Sequence, residues 1–207
     1  MTPQLEGERA AARIAKGLPQ VDAVVIGGSA GAIEVLLRVV ETLPADFGLP
    51  IVVVVHRLKN APSHLAEVLG ARCALPVSEA RHGEPLVPGR VFVAPPDHHL
   101  RIDARHRFVL DTASPVHFSR PSIDVLFESA ALAFGARVAG VLLTGGNEDG
   151  AAGLHAISRA GGVTLVQSPH TAEVPHMPEA ALALFTPTHV LAPGELGPTL
   201  NALGGSP

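Results

Sequence analysis

Residues 21–40, VDAVVIGGSAGAIEVLLRVV, decide the fold class. The apolar run 21–26 is typical of a buried strand, and a glycine-rich turn closes it. The apolar positions after the turn have the spacing of an amphipathic helix: Ile33, Leu36, Leu37 and Val40. A buried strand, a glycine turn and a helix in this order predict the first part of a βαβ unit.

Further strands and helices alternate along the chain. We predict strands at 51–55, 90–96, 163–167 and 189–192, and a strand followed by a glycine turn over 138–146. We also predict a hairpin over 100–110, and helices at 62–70, after Ser122, at 149–162 and around Pro178. The strands are continuous apolar runs, which indicates burial on both faces of a parallel sheet. We expect one α/β domain over 21–203, after a lead-in over 1–20. It should be a three-layer, doubly wound, mostly parallel sheet with helices on both faces and a small β-hairpin.

Composition narrows the class of protein. Of 207 residues, 47% are hydrophobic and 16% charged, which indicates a globular chain. The formal charge of −4 argues against a nucleic-acid-binding surface, and Cys73 as the only cysteine excludes an internal disulfide. No apolar run approaches the roughly 20 residues that span a bilayer. We therefore expect a cytoplasmic protein with no membrane insertion and no nucleic-acid partner.

Three predicted strands end on residues of catalytic type. The first ends at Ser29, the second at His56, and the strand from Val138 at the segment that contains Asp149. The carboxyl ends of parallel strands meet at one edge of a sheet, where ligands of such folds bind. A hydroxyl, an imidazole and a carboxylate at this edge would suffice for nucleophilic catalysis.

The glycine turn itself admits several interpretations. A dinucleotide fingerprint read from Gly27 would need glycine at Ser29, and a phosphate-binding P-loop would need a lysine that is absent. The pattern Gly27-x-Ser29-x-Gly31 instead fits a nucleophile elbow. Glycine-rich turns between strand and helix are common, so a simple helix-capping role for Ser29 stays open at this point.

The chain also carries six blocks of a known family. They are VVIGGSAGA, VVVVHRL, CALPVSEARHGEPLVPGRVFVAPPDHHL, RPSIDVLFESAA, LLTGGNEDGAAGL and QSPHTAEVPHMPEAA. From about Val21 to about Leu191 the sequence resembles the catalytic domain of the chemotaxis receptor protein-glutamate methylesterases, the CheB family. The order Ser, His, Asp along the chain departs from the Ser, Asp, His order of α/β-hydrolases.

The resemblance implies a role for each matching residue. Ser29 matches the nucleophile, His56 the general base and Asp149 the aspartate that orients the base. Amides near Ala30 and Gly146 would hold the oxyanion, and Met177 would pack at the pocket. No metal and no organic cofactor is expected.

The implied reaction is hydrolysis of glutamate γ-methyl esters on the cytoplasmic helical bundle of a chemoreceptor, with release of methanol. Deamidation of receptor glutamines is an expected second activity. The receiver domain that commonly precedes this domain is expected to be missing, which leaves the regulator unknown. Gly146 stands where the family commonly has methionine, so an esterase with a drifted substrate is one alternative. A non-catalytic binding module is another, and a nucleotide-binding protein is the weakest.

Overall fold

The computed structural model describes residues 19–56 and 64–204. The predicted lead-in therefore lies almost wholly outside the described residues, and so do the first two residues of the helix predicted at 62–70. Within the described ranges, no helix is both long and apolar enough to cross a membrane.

Seven strands form one parallel sheet, and two more form a small antiparallel hairpin. The strands are β1 (Ala23–Gly28), β2 (Ile51–Val55), β3 (Val77–Glu79), β4 (Val91–Val93), β5 (His99–Ile102), β6 (Phe108–Asp111), β7 (Val138–Leu142), β8 (Val163–Gln167) and β9 (His189–Leu191). The order across the sheet is β3-β4-β2-β1-β7-β8-β9, and β5 pairs with β6. The chain first forms the strands on one side of β1, which are β2, β3 and β4, and then those on the other side, which are β7, β8 and β9. This order confirms the predicted doubly wound fold.

Within the described residues, six α-helices cover the two faces of the sheet. They are α1 (Ala32–Glu41), α2 (Leu65–Gly70), α3 (Ile123–Phe134), α4 (Ala151–Arg159), α5 (His176–Leu184) and α6 (Pro193–Gly204). One apolar core joins α1, α2 and α6 to the sheet, and the other joins α3, α4, α5 and the hairpin to the opposite face. Strand side chains alternate between the cores: Val24 and Ile26 enter the first, Val25 the second.

Two elements escape prediction from the sequence. Strand β3 has only three residues, all partly buried at the edge of the sheet, so it lacks the apolar run of the central strands. Helix α6 contains Pro198, which argues against a helix in any pattern based on propensity. It forms because Leu196 and Leu200 are fully buried in the core beside α1.

The first strand runs two residues further than predicted. Gly27 and Gly28 belong to β1 and pair with Val54 and Val55 of β2. A Cβ atom on Gly28 would lie 2.5 Å from the Cβ of Ala32 and 3.1 Å from that of Leu143. Glycine is therefore required where the strand passes directly against the start of α1 and the end of β7.

We predict that Gly28→Ala lowers the free energy of unfolding by about 1–3 kcal/mol, because the atoms that its methyl group meets are attached directly to the backbone. Gly70→Ala is the matched control, since its Cβ would meet nothing closer than Val77 Cβ at 3.6 Å. Urea denaturation of both variants measures the difference. Equal stability of the two would contradict the proposed crowding.

Candidate active site

The carboxyl edge of the sheet brings the predicted residues together. The strand order reverses between β1 and β7, and ligands of doubly wound sheets bind at such a point. Ser29 directly follows β1, His56 directly follows β2, and Asp149 lies between β7 and α4. Parallel pairing aligns β1 with both of its neighbours, so all three residues lie at one edge.

The turn after β1 presents Ser29 without using it as a helix cap. The N-cap of α1 is Gly31, whose φ of 79° is left-handed and which has no side chain to accept a capping bond. The capping interpretation of Ser29 is therefore wrong. The Ser29 amide donates to the Thr144 carbonyl at 2.9 Å, and Thr144 Oγ1 donates to the Ala30 carbonyl at 3.0 Å. These bonds fix the turn against the segment that follows β7.

Ser29 and His56 line one cavity of about 670 Å³. Ala30 and Gly146 line it as well, and Ile33, Val55 and Phe118 supply apolar walls. The volume falls within the range of small-molecule pockets, so a single amino-acid side chain would not fill the cavity. The site can therefore admit an extended substrate beside the serine.

His56 and Asp149 form a buried pair. His56 Nε2 lies 2.6 Å from Asp149 Oδ2, and the Asp149 side chain has no exposed surface. Burial raises the pKa of Asp149, but the bond from His56, the amides of Asp124 and Ile123 and the Ser122 hydroxyl outweigh it and hold that pKa below its ordinary value. Asp149 is then an ionised acceptor, so Nε2 carries the hydrogen and Nδ1 has the free lone pair.

The hydroxyl bonded to Nδ1 belongs to Ser119. Its Oγ lies 3.3 Å from His56 Nδ1. Within residues 19–56 and 64–204, Ser29 Oγ makes no hydrogen bond with His56, although both line the same cavity. The hydroxyl that the structure places on His56 Nδ1 is therefore that of Ser119, whereas the sequence predicts Ser29 there.

Asp124 and Asp149 cap each other's helices: each carboxylate accepts hydrogen bonds from the N-terminal amides of the helix at which the other residue lies. Asp149 lies just before α4 but accepts the amides of Ile123 at 2.7 Å and Asp124 at 3.0 Å, at the start of α3. Asp124 lies in α3 but accepts the amides of Gly150 at 2.9 Å and Gly153 at 2.7 Å, at the start of α4. Helix N-termini leave such amides unsatisfied, and both carboxylates supply the missing acceptor.

The two carboxylates titrate differently. Burial, followed by the charge of Asp149, raises the pKa of Asp124 from 3.8 to about 6, against the opposing effect of the Gly153 and Gly150 amides. His117 Nε2 faces Asp124 Oδ2 at 3.3 Å. Asp149 receives more donors than Asp124 and stays ionised, which suits a residue that orients an imidazole.

Two amides at the cavity are available as donors. The N–H groups of Ala30 and Gly146 donate no hydrogen bond to any group in the described part of the chain. Both residues line the cavity with Ser29. Met177 does not: it is fully buried, and its Cε lies 2.5 Å from where a Cβ on Gly145 would stand. The predicted place of Met177 at the pocket is corrected: its apolar side chain is buried in the core, on the side of Gly145 that also faces Ser29 Cβ.

His117, Asp124 and Asp149 also place ligand atoms within 4.8 Å of one another. This set has the donor types of a metal site. Asp149, however, already accepts four hydrogen bonds, two on each oxygen. The cluster is accounted for by helix capping and histidine orientation, and we assign it no metal.

Sequence patterns alone do not reveal Ser119, Ser122 or Asp124 as parts of this site. Ser122 is predicted as the N-cap of α3, and it does accept the Val125 amide at 3.4 Å. Its hydroxyl also donates to Asp149 Oδ1 at 2.8 Å. The block RPSID, which joins a capping serine to an acid two residues later, is the one signal that could have linked α3 to the carboxylate.

A doubly wound sheet whose edge carries hydroxyl, imidazole and buried carboxylate groups has the arrangement typical of serine hydrolases of the α/β class. The chain belongs to the CheB methylesterase family, whose model matches residues 24–200. The catalytic domain of the Thermotoga maritima CheB methylesterase superposes with a TM-score of 0.85 at 31% identity, covering 89% of this chain and all of that domain.

Relatives in other bacteria carry matching names. A protein of Anaeromyxobacter dehalogenans named protein-glutamate methylesterase/protein-glutamine glutaminase 2 is 44% identical over 89% of this chain and 54% of its own length. A Leptospira interrogans protein, provisionally given the same pair of activities, is 42% identical over 83% of this chain and 89% of its own length. The chain thus spans most of one relative and about half of the other.

We predict that Asp124→Asn changes how stability depends on pH. The folded-state pKa of Asp124 is raised, so its favourable contribution is complete below pH 3.8 and is lost as the pH rises through about 6. Asparagine keeps the oxygen that accepts the Gly150 and Gly153 amides but does not titrate. The stability of the variant relative to the native chain should therefore increase from pH 4 to pH 7, as measured by urea denaturation.

Asp124→Ala is the control, because it also removes the acceptor for both α4 amides. It should be less stable than Asp124→Asn at every pH by about 2 kcal/mol or more, since each buried amide that loses its acceptor costs about 1–3 kcal/mol. Parallel stability curves for the native chain and Asp124→Asn would show that Asp124 does not titrate as described.

Proposed function

We propose that this protein is a serine esterase that hydrolyses glutamate γ-methyl esters on the cytoplasmic helical region of a chemoreceptor. The observation that carries the proposal is the hydrogen bond of His56 to the buried Asp149, with His56 and Ser29 lining one cavity at the carboxyl edge of the sheet. Membership of the CheB methylesterase family supports the substrate class. A cytoplasmic location belongs to the same proposal, since that region of a receptor lies there.

In the proposed reaction, Ser29 Oγ attacks the ester carbonyl carbon while His56 Nδ1 takes the hydroxyl proton. Nδ1 is assigned as the base nitrogen because Asp149 engages Nε2 at 2.6 Å. Asp149 is buried and ionised, so it holds the ring in one tautomer and stabilises the imidazolium that forms. In the chymotrypsin-type triad the acid binds Nδ1 and Nε2 is the base, so the two ring nitrogens have the reverse roles here.

The negative charge of the tetrahedral intermediate needs preorganised donors. The free N–H groups of Ala30 and Gly146 are the proposed oxyanion donors. The intermediate collapses by breaking the bond to the methoxy oxygen, which leaves as methanol with the proton from Nδ1. Water then attacks the acyl-enzyme with the same base, and the product is a glutamate carboxylate. An amide in place of the ester would release ammonia, which accounts for a glutaminase activity.

We expect Ser29→Ala to abolish turnover of a methylated receptor fragment, because the variant lacks the hydroxyl that is proposed to attack the ester. Loss of a serine nucleophile lowers kcat by more than about a thousandfold in well-studied serine hydrolases. Methanol release measures turnover, and labelling by a fluorophosphonate probe measures the nucleophile directly.

Ser114→Ala is the matched control, since Ser114 is exposed and is not among the residues that line the cavity. It should keep full labelling and turnover. Labelling of Ser29→Ala at the native level would rule out Ser29 as the nucleophile. No labelling of the native protein would instead favour a binding module of the same fold.

The rim of the cavity supports a protein substrate. Phe118 is fully exposed at this rim, and its φ of 61° is left-handed, as is the φ of 46° at His117. Left-handed backbone costs a residue with a Cβ about 1–2 kcal/mol, and such cost is typical of functional sites. An exposed aromatic side chain beside an apolar cavity is the kind of group that anchors a protein partner.

We predict that Phe118→Ala raises KM for a methylated receptor fragment about tenfold, the loss expected for an aromatic anchor at an interface. Turnover of p-nitrophenyl acetate should not change, since that ester is too small to need the rim. Leu132→Ala is the control, because Leu132 is exposed on α3 and does not line the cavity. If both variants bind the fragment equally well, Phe118 has no part in recognition.

A drifted substrate is the second candidate. A Cβ on Gly146 would meet nothing closer than Val174 Cγ1 at 3.8 Å, so the structure has room for a side chain that this chain lacks. The open space beside Gly146 favours a broader range of ester substrates. Methylated receptor and p-nitrophenyl acetate offered side by side separate the two, because turnover of the small ester alone would contradict the receptor substrate.

A further inference from the structure

The turn Val116–Ser119 places the Ser119 hydroxyl on the imidazole of His56. Val116 and Ser119 exchange two backbone hydrogen bonds, at 3.1 and 2.8 Å, with His117 and Phe118 between them. Asn147 Nδ2 donates to the His117 carbonyl at 3.2 Å, which ties the turn to the segment before Asp149. The position of Ser119 is therefore set by the same segment that positions the carboxylate.

The Ser119 hydroxyl has two acceptors within reach. Its Oγ lies 3.3 Å from His56 Nδ1 and 3.3 Å from the His117 carbonyl oxygen. A hydroxyl has one hydrogen and two lone pairs, so it can donate to either group and accept from a third. Because both contacts are long, moving the hydrogen from one acceptor to the other requires only rotation about the Cβ–Oγ bond.

Ser119 lacks the surroundings of a nucleophile. Its amide already donates to the Val116 carbonyl, and it lies four residues before α3, whose first amides already donate to Asp149 and Ser122. Ser29, in contrast, lies just before α1 beside the free amides of Ala30 and Gly146. Charge that develops on a substrate carbonyl would thus find donors near Ser29 and not near Ser119.

We propose that Ser119 is a positioning residue that holds His56 Nδ1 in both of its protonation states. In the resting protein its hydroxyl donates to the lone pair of Nδ1. The Ser119 hydrogen first turns to the His117 carbonyl, which frees the one lone pair of Nδ1 to take the proton of Ser29, and Ser119 Oγ then accepts from the new Nδ1–H. When the proton passes on to the methoxy oxygen of the leaving methanol, Ser119 donates to Nδ1 again. Ser119 forms no bond to the substrate.

This inference rests on the proposed roles of Ser29 and His56, and one pair of variants tests it. Threonine and valine have the same shape and differ in a hydroxyl against a methyl group. Ser119→Thr should keep kcat within about threefold of the native value, whereas Ser119→Val should lower it about tenfold or more, since a hydrogen bond to a charged group is lost. KM for p-nitrophenyl acetate should be unchanged in both.

The remaining outcomes separate the two proposals. Equal kcat values for the threonine and valine variants would overturn the role of the Ser119 hydroxyl while leaving that of Ser29 intact. Fluorophosphonate should label Ser29 in the native protein and in both variants, as located by peptide mass spectrometry. Labelling of Ser119 would make it a nucleophile and overturn its positioning role. Absence of any label on the native protein would overturn both proposals together.

Discussion

The structure depends on two carboxylates, each of which accepts hydrogen bonds from the N-terminal amides of the neighbouring helix. Asp149, which precedes α4, satisfies the first amides of α3, and Asp124 of α3 satisfies the first amides of α4. Neither helix could move relative to the other without leaving buried donors unpaired, at a cost of about 1–3 kcal/mol for each. Helices α3 and α4 are thereby locked together over the edge of the sheet. The same lock fixes the carboxylate that His56 meets.

This constraint explains why one carboxylate is ionised and the other has a raised pKa. Two negative charges close together in a buried site repel each other, so the group with more donors keeps its charge. Asp149 accepts from two amides, the Ser122 hydroxyl and His56, whereas Asp124 accepts from two amides and faces His117. The difference in the number of donors assigns the orienting role to Asp149 within the proposed mechanism.

The same edge of the sheet combines a rigid part and a strained part. Ser29 is held through Thr144, which bonds to the turn after β1 and to the Val174 carbonyl. Opposite it, the turn with His117 and Phe118 adopts left-handed backbone without glycine. Side chains that contact α3 and the segment before α4 hold this turn in place. A rigid serine and a strained rim suit a site that must keep its chemistry fixed while presenting an exposed ring to a partner.

The sequence by itself determined the α/β class, most strands and helices, and the convergence of Ser29, His56 and Asp149 at one edge, because strand ends in a parallel sheet follow from the order of the elements. It missed β3, a three-residue edge strand without an apolar run, and α6, where burial outweighs propensity. Tertiary structure decided that Nε2 of His56 faces Asp149 and that the Ser119 hydroxyl lies at Nδ1. It also decided that Met177 lies in the core. These outcomes depend on side-chain rotamers and on a loop without periodic pattern, where shifts of about 1 Å make or break a hydrogen bond.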